Sequence, residues 1–202
     1  KVVTTTPAGG FLMGNPNAAV KLVEYGSMTC PHCAEFEETG TKPLLEQYVK
    51  TGKVSFEFRN YVRDVADLAA SLVARCGGTA SFFPLTRALY ADQRNWSTRI
   101  QSSTPEQQQA LSGLPPTQQF GAIAKLAGFP QWAAMRGLPS AKSAACLANE
   151  AEINRLVQMN SDATSQYPNF PGTPSFTING ELLDKTASWS ALEPQLKAAV
   201  GG

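Results

Sequence analysis

Apolar and polar residues change their spacing several times along this chain. Residues 20–25 (Val-Lys-Leu-Val-Glu-Tyr) form a short, largely apolar run that predicts a buried strand. After a turn at Gly26, Ser27, Met28 and Thr29 the period becomes helical. Cys33, Phe36, Gly40, Leu44, Leu45, Tyr48 and Val49 fall on one face, and Gly52 ends the run. Pro43 lies inside this helix and predicts a kink in the preceding turn. Val54, Phe56 and Phe58 alternate with Ser55, Glu57 and Arg59, which predicts a second strand.

From about residue 64 to residue 166 the pattern is helical throughout. A stripe of Val65, Leu68, Leu72, Val73 and Cys76 ends at Gly77-Gly78, and helical patches follow at 81–90 and 118–126. Thr104-Pro105-Glu106-Gln107 carries a cap, a first-turn proline and Gln at the capping-box position. Ser140 opens one long helix expected to run to about Ser161. Strand signals return at Ser175-Phe176-Thr177-Ile178, the hairpin turn Asn179-Gly180 and Glu181-Leu182-Leu183. Ser190 and Glu193 are spaced to cap a last helix ending near Val200. Residues 1–13 read as a loose arm that becomes a short strand.

The order predicts an α/β fold. A β-α-β half and a β-β-α half join into one mixed central sheet with flanking helices, and a large helical domain is inserted between them. The expected division is 14–62 with 167–202 for the sheet domain, 63–166 for the insertion and 1–13 for the arm. A length of 202 residues with 43% apolar content supports such a core, and no run approaches the roughly 18 residues of a membrane helix. The formal net charge of +1, from 17 basic and 16 acidic residues, gives no support to nucleic-acid binding or to an anionic membrane surface. The chain opens at Lys1-Val2-Val3 without the sections of a secretory signal, so it is expected to be a mature or trimmed form.

Chemistry concentrates in Cys30-Pro31-His32-Cys33, at the junction of strand and helix. A disulfide between near neighbours removes little unfolded-state entropy, so such a pair suits exchange chemistry better than architecture. Pro31 fits the first helical position, which places Cys30 at the helix N-terminus. There, free N–H groups and the helix dipole stabilise a thiolate, the nucleophilic form. Cys76 and Cys146 stand alone and are expected to face a core, Cys146 on the face of Ile153, Leu156 and Val157. They read either as separate buried thiols or as a structural disulfide pinning two helices in an oxidising compartment. Glu24 is a carboxylate in an apolar strand pattern, six residues before Cys30. It reads as a proton acceptor for Cys33 or as a strand-end carboxylate reaching solvent.

Cys30-Pro31-His32-Cys33 after a strand, Gly172-Thr173-Pro174-Ser175-Phe176 before a hairpin, and the inserted helices together resemble the DsbA-type thiol:disulfide oxidoreductases of the thioredoxin superfamily. The resemblance spans the chain from Gly14 onward. It implies that Cys30 is the exposed nucleophile and Cys33 the buried resolving thiol. His32, the chain's only histidine, would place positive charge and a hydrogen bond beside the Cys30 sulfur. Pro174 would be a cis-proline packing on the disulfide, with Thr173 meeting an extended substrate. Glu24 would relay the Cys33 proton with Arg59 as its basic partner.

The implied activity is donation of the Cys30–Cys33 disulfide to newly exported proteins in the periplasm. The implied protein is a monomer with no cofactor beyond that disulfide, recharged by a membrane quinone-linked reoxidase of the DsbB type. Thr173 also occurs in isomerase-type relatives, so isomerisation or reduction on the same fold is the alternative. A structural zinc site wants four ligands and is not expected here. Two thiolates could hold Cu(I), which leaves a copper-binding protein as the third reading.

Overall fold

A computed structural model describes residues 2–201 and divides the chain into two compact units, 1–61 with 158–202 and 62–157. The first unit contains a six-stranded sheet in the order β1-β2-β4-β3-β5-β6. Its strands are β1 (Val3–Thr5), β2 (Phe11–Met13), β3 (Val20–Gly26), β4 (Val54–Asn60), β5 (Ser175–Ile178) and β6 (Glu181–Leu182). Only β3 and β4 are parallel, and the remaining neighbours run antiparallel. The β3–β4 connection is the helical run at 31–49, consistent with the longer crossover a parallel pair requires. The sheet with its flanking helices is a thioredoxin fold.

The helical run departs from a single kinked helix. It comprises α1 (Pro31–Phe36), a π-helical turn at Glu37–Thr41, α2 (Lys42–Leu44) and a second π-turn at Leu45–Val49. Pro43 has no N–H to donate and its ring crowds the preceding turn, and the widened turn accommodates both. Gly40 in that turn admits a close approach: a Cβ there would lie 2.9 Å from both a Phe36 ring carbon and the Trp189 Cβ. Phe36 packs on Phe176 of β5, with ring centroids 4.7 Å apart, and on Trp189 at the start of the final helix, 6.4 Å away.

Strand parity divides the buried residues between the two sheet faces. On the face opposite α1, Val23 and Tyr25 pack with Ala163, flanked by half-buried Tyr61, Tyr167 and Phe170. Asn179 and Gly180 hold φ values of 50° and 85°, the left-handed geometry of a tight hairpin between β5 and β6. The short strand expected at the end of the arm forms as β2, but the residues before it are not loose: β1 pairs with β2 in a hairpin, tied down where Thr6 Oγ1 donates to Glu57 Oε2 at 2.7 Å.

The second unit is helical: α3 (Val65–Arg75), α4 (Phe82–Ala91), α5 (Gln93–Gln101), α6 (Pro105–Ser112), α7 (Pro116–Ala127), α8 (Phe129–Ala134) and α9 (Ser140–Leu147). Helix α10 (Glu150–Gln166) begins in this unit and ends in the first, and α11 (Trp189–Ala199) belongs to the first. The Thr104–Gln107 capping box forms on α6. Two sequence expectations fail for local reasons. The long helix from Ser140 is broken because Asn149 Oδ1 accepts the Glu152 N–H at 3.2 Å, a cap that starts α10 afresh. The final helix is capped by Ser188, which accepts the Ala191 N–H, and Ser190 lies inside it.

Cys76 and Cys146 form a disulfide with Cα atoms 5.7 Å apart, joining the end of α3 to α9. Both are half-buried rather than core-facing, and Val65 and Val157 of the expected stripes are exposed. Beside the bridge, Arg75 and Glu152 form an ion pair. Among the described residues, no helix is long and apolar enough to cross a membrane.

Candidate functional site

The end of β3 delivers the chain into a tight turn, and the turn into α1. Cys30 occupies the N-cap position in extended conformation, followed by Pro31 in the first turn. Its N–H is satisfied by the Ser27 carbonyl at 3.2 Å and its own carbonyl accepts the Ala34 N–H at 3.2 Å. Cys30 and Cys33 are both unbridged thiols, as in the reduced state of such a pair.

From the second half of the chain, the loop before β5 meets the first cysteine. The Thr173–Pro174 peptide bond is cis, and the Cys30 thiol donates to the Thr173 carbonyl at 3.4 Å. Cys30 is therefore not the exposed thiol expected from the sequence. It is 3% exposed against 1% for Cys33, because its sulfur lies against this loop. Thr173 Oγ1 is buried without a partner in the thiol form, which leaves a donor for the thiolate to recruit.

The two sulfurs differ sharply in acidity. The Cys30 thiol is lowered to about 5. The Cys33 thiol donates to its sulfur, and the Thr173 hydroxyl and the backbone N–H groups of Cys33 and His32 add to that, against the upward push of burial. Cys33 is pushed well up by burial, by its hydrogen bond to Cys30 and by the charges of Glu24 and Cys30, with the Ser27 backbone N–H opposing.

His32 contributes differently from the sequence expectation. Its exposed ring turns away along the helix, with Nδ1 3.7 Å from Glu35 Oε2, and its backbone N–H rather than its imidazole serves the Cys30 sulfur. Glu24 does not reach solvent, being 3% exposed. It pairs in register with Phe58 on one side and Phe176 on the other. Burial between these strands, then the charges of Glu37 and Cys30, raise its pKa well above the usual carboxylate range.

Arg59 is not its partner. Arg59 registers with Tyr25, one residue out of phase with Glu24 and thus on the opposite face of the sheet. There it donates to Glu57 at 2.7 and 3.1 Å and to the Tyr25 hydroxyl at 3.0 Å. The acid that does act on Glu24, Glu37, was missed in the sequence. It sits one helical turn beyond Cys33, its Oε2 accepting the Thr41 hydroxyl at 2.8 Å, and that i, i+4 spacing was the available signal. Among the described residues, no group of three or more His, Cys, Asp or Glu could hold a metal ion.

The chain is similar to known proteins over most of its length. A family model described as Thioredoxin matches residues 6–198. A solved protein-disulfide isomerase from Novosphingobium aromaticivorans is 37% identical, with a TM-score of 0.89 over 95% of this chain and 97% of that one. Wolbachia pipientis alpha-DsbA1 shares the fold at 20% identity, with a TM-score of 0.74 over 98% of this chain and 94% of its own. A candidate protein-disulfide oxidoreductase of Rickettsia conorii is 29% identical over 181 residues, 89% of this chain and 57% of its own length. The chain thus spans little more than half the length of such curated relatives.

Proposed function

The chain belongs to the thioredoxin family, and from that premise we propose that it is a thiol:disulfide exchange enzyme that donates the Cys30–Cys33 disulfide to cysteine pairs in extended, newly exported proteins. The observation that carries this reading is the split in acidity between two thiols one helical turn apart, Cys30 held near 5 and Cys33 pushed up.

A substrate thiolate attacks the Cys30 sulfur of the oxidised protein. The Cys30–Cys33 bond breaks, its electron pair passes to Cys33, and a mixed disulfide forms. Cys33 in its apolar pocket takes a proton, and buried Glu24, whose raised pKa keeps it protonated, would supply it. The second substrate thiolate then attacks the substrate sulfur of the mixed disulfide and expels Cys30 as its stabilised thiolate. Because that product is stabilised, the oxidised form is the stronger oxidant. Thr173 and Pro174, lying over Cys30, would guide the substrate strand. A membrane reoxidase of the DsbB type and a periplasmic location follow from this reading.

The name of the Novosphingobium relative favours isomerisation as the second reading. Two assays separate them. Oxidation expects a reduction potential well above that of glutathione and fast oxidation of a reduced, unfolded substrate, both lost in Cys30→Ser. Efficient refolding of a scrambled-disulfide substrate, with slow oxidation of the reduced one, would overturn donation in favour of isomerisation.

A further inference from the structure

One residue organises the turn between β3 and α1. Ser27 is fully buried. Its hydroxyl oxygen accepts the Thr29 N–H at 3.3 Å and lies 3.2 Å from Thr29 Oγ1. Its carbonyl accepts the Cys30 N–H at 3.2 Å, and its own N–H donates to the Cys33 sulfur. A single residue therefore touches the backbone of the first cysteine and the sulfur of the second. The side chain closes the turn locally, as Ser does when its hydroxyl takes a backbone N–H two residues on.

We propose that Ser27 is a positioning residue whose hydroxyl holds its own backbone N–H against the Cys33 sulfur, so that this amide meets the charge that appears there during disulfide donation. The inference rests on the exchange role assigned to Cys30 and Cys33. When a thiolate attacks Cys30, a sulfur–sulfur bond forms to the attacker and the Cys30–Cys33 bond breaks. The electron pair of the broken bond lands on Cys33. A donor already aimed at that sulfur requires no reorganisation at the moment of reaction. The hydroxyl keeps it aimed by locking the turn through the Thr29 N–H.

This role predicts an effect on one sulfur and not the other. The test compares wild type with Ser27→Ala in two reactions. In the first, glutathione attacks the oxidised protein, and Cys33 is the leaving group. In the second, iodoacetamide alkylates Cys30 in a Cys33→Ser background, where no Cys33 charge develops. Ser27→Ala is expected to slow the first reaction about tenfold, the order expected for loosening one hydrogen bond at a charged atom. The second is expected to stay within about twofold. Thr29→Ala keeps the N–H that Ser27 accepts and is expected to follow wild type in both.

Equal slowing of both reactions in Ser27→Ala means a generally loosened helix start and overturns the assignment. No slowing of the first reaction overturns it as well. An oxidised wild type that is not reduced by glutathione would instead refute the exchange reading itself.

Discussion

The Cys30 acidity makes a prediction about direction that can be worked in numbers. Consider the equilibrium in which oxidised protein and two glutathione molecules give reduced protein and glutathione disulfide. Glutathione thiols keep their protons up to about pH 8.5. Reduced protein releases the Cys30 proton above about pH 5. Between those values each pH unit shifts the equilibrium constant tenfold toward reduced protein.

Half the thiol is already ionised at pH 5, so from pH 5 to pH 7 the change is about fiftyfold, or about 2.3 kcal/mol, equivalent to about 50 mV for a two-electron couple. The sign follows from a lowered pKa: the gain is present above it and is lost as pH falls through about 5. The assay equilibrates the protein in glutathione buffers at half-unit steps from pH 4 to 8, quenches with acid and counts alkylated thiols by mass. A constant that stays flat between pH 5.5 and 7.5 would refute the argument, because it would mean that Cys30 holds its proton like an ordinary thiol.

Further consequences can be checked on the same protein. Thr173→Val removes a donor to the thiolate, so the Cys30 pKa should rise by about one unit and the glutathione constant at pH 7 should fall roughly tenfold, read by thiolate absorbance and by thiol counting. Glu24→Gln should stabilise the reduced protein, increasingly as pH rises above 4.5, because a carboxyl with a raised pKa loses stability with pH while an amide does not; urea midpoints at pH 4 and 8 measure this. Replacing Cys76 and Cys146 together by Ala opens a bridge across 70 residues and should cost up to about 4 kcal/mol, seen as a lower denaturation midpoint. Gly40→Ala forces a Cβ against Phe36 and Trp189 and should cost about 1–3 kcal/mol in the same measurement.

Features encoded by neighbouring residues are legible in the sequence itself. The Thr104–Gln107 box, the Asn179-Gly180 hairpin and the Pro31 helix start each depend on residues a few positions apart, and all three form. Local competition limited the rest. Asn149 and Ser188 each offered a better cap than the continuation or the neighbour chosen from spacing, because a cap is won by the side chain that actually reaches an unpaired N–H. The burial of Cys30 was not readable from its helix position, since it comes from Thr173, 143 residues away.

The error at Arg59 is the most informative, because one residue of register decides the chemistry. The family resemblance implies a basic partner for Glu24, with Arg59 on the adjacent strand as the candidate. The parallel register instead sets Glu24 beside Phe58 and Arg59 beside Tyr25, so the two charges lie on opposite faces. Had Glu24 met Arg59, the pair would have held the carboxyl ionised, with no proton to give. Left between Phe58 and Phe176 and facing Glu37, Glu24 holds its proton beyond the usual carboxylate range. Under the proposed exchange, that proton is the one a Cys33 thiolate needs in a pocket that burial keeps apolar. The phase of β4 thus supplies an acid where pairing would have supplied only a salt bridge.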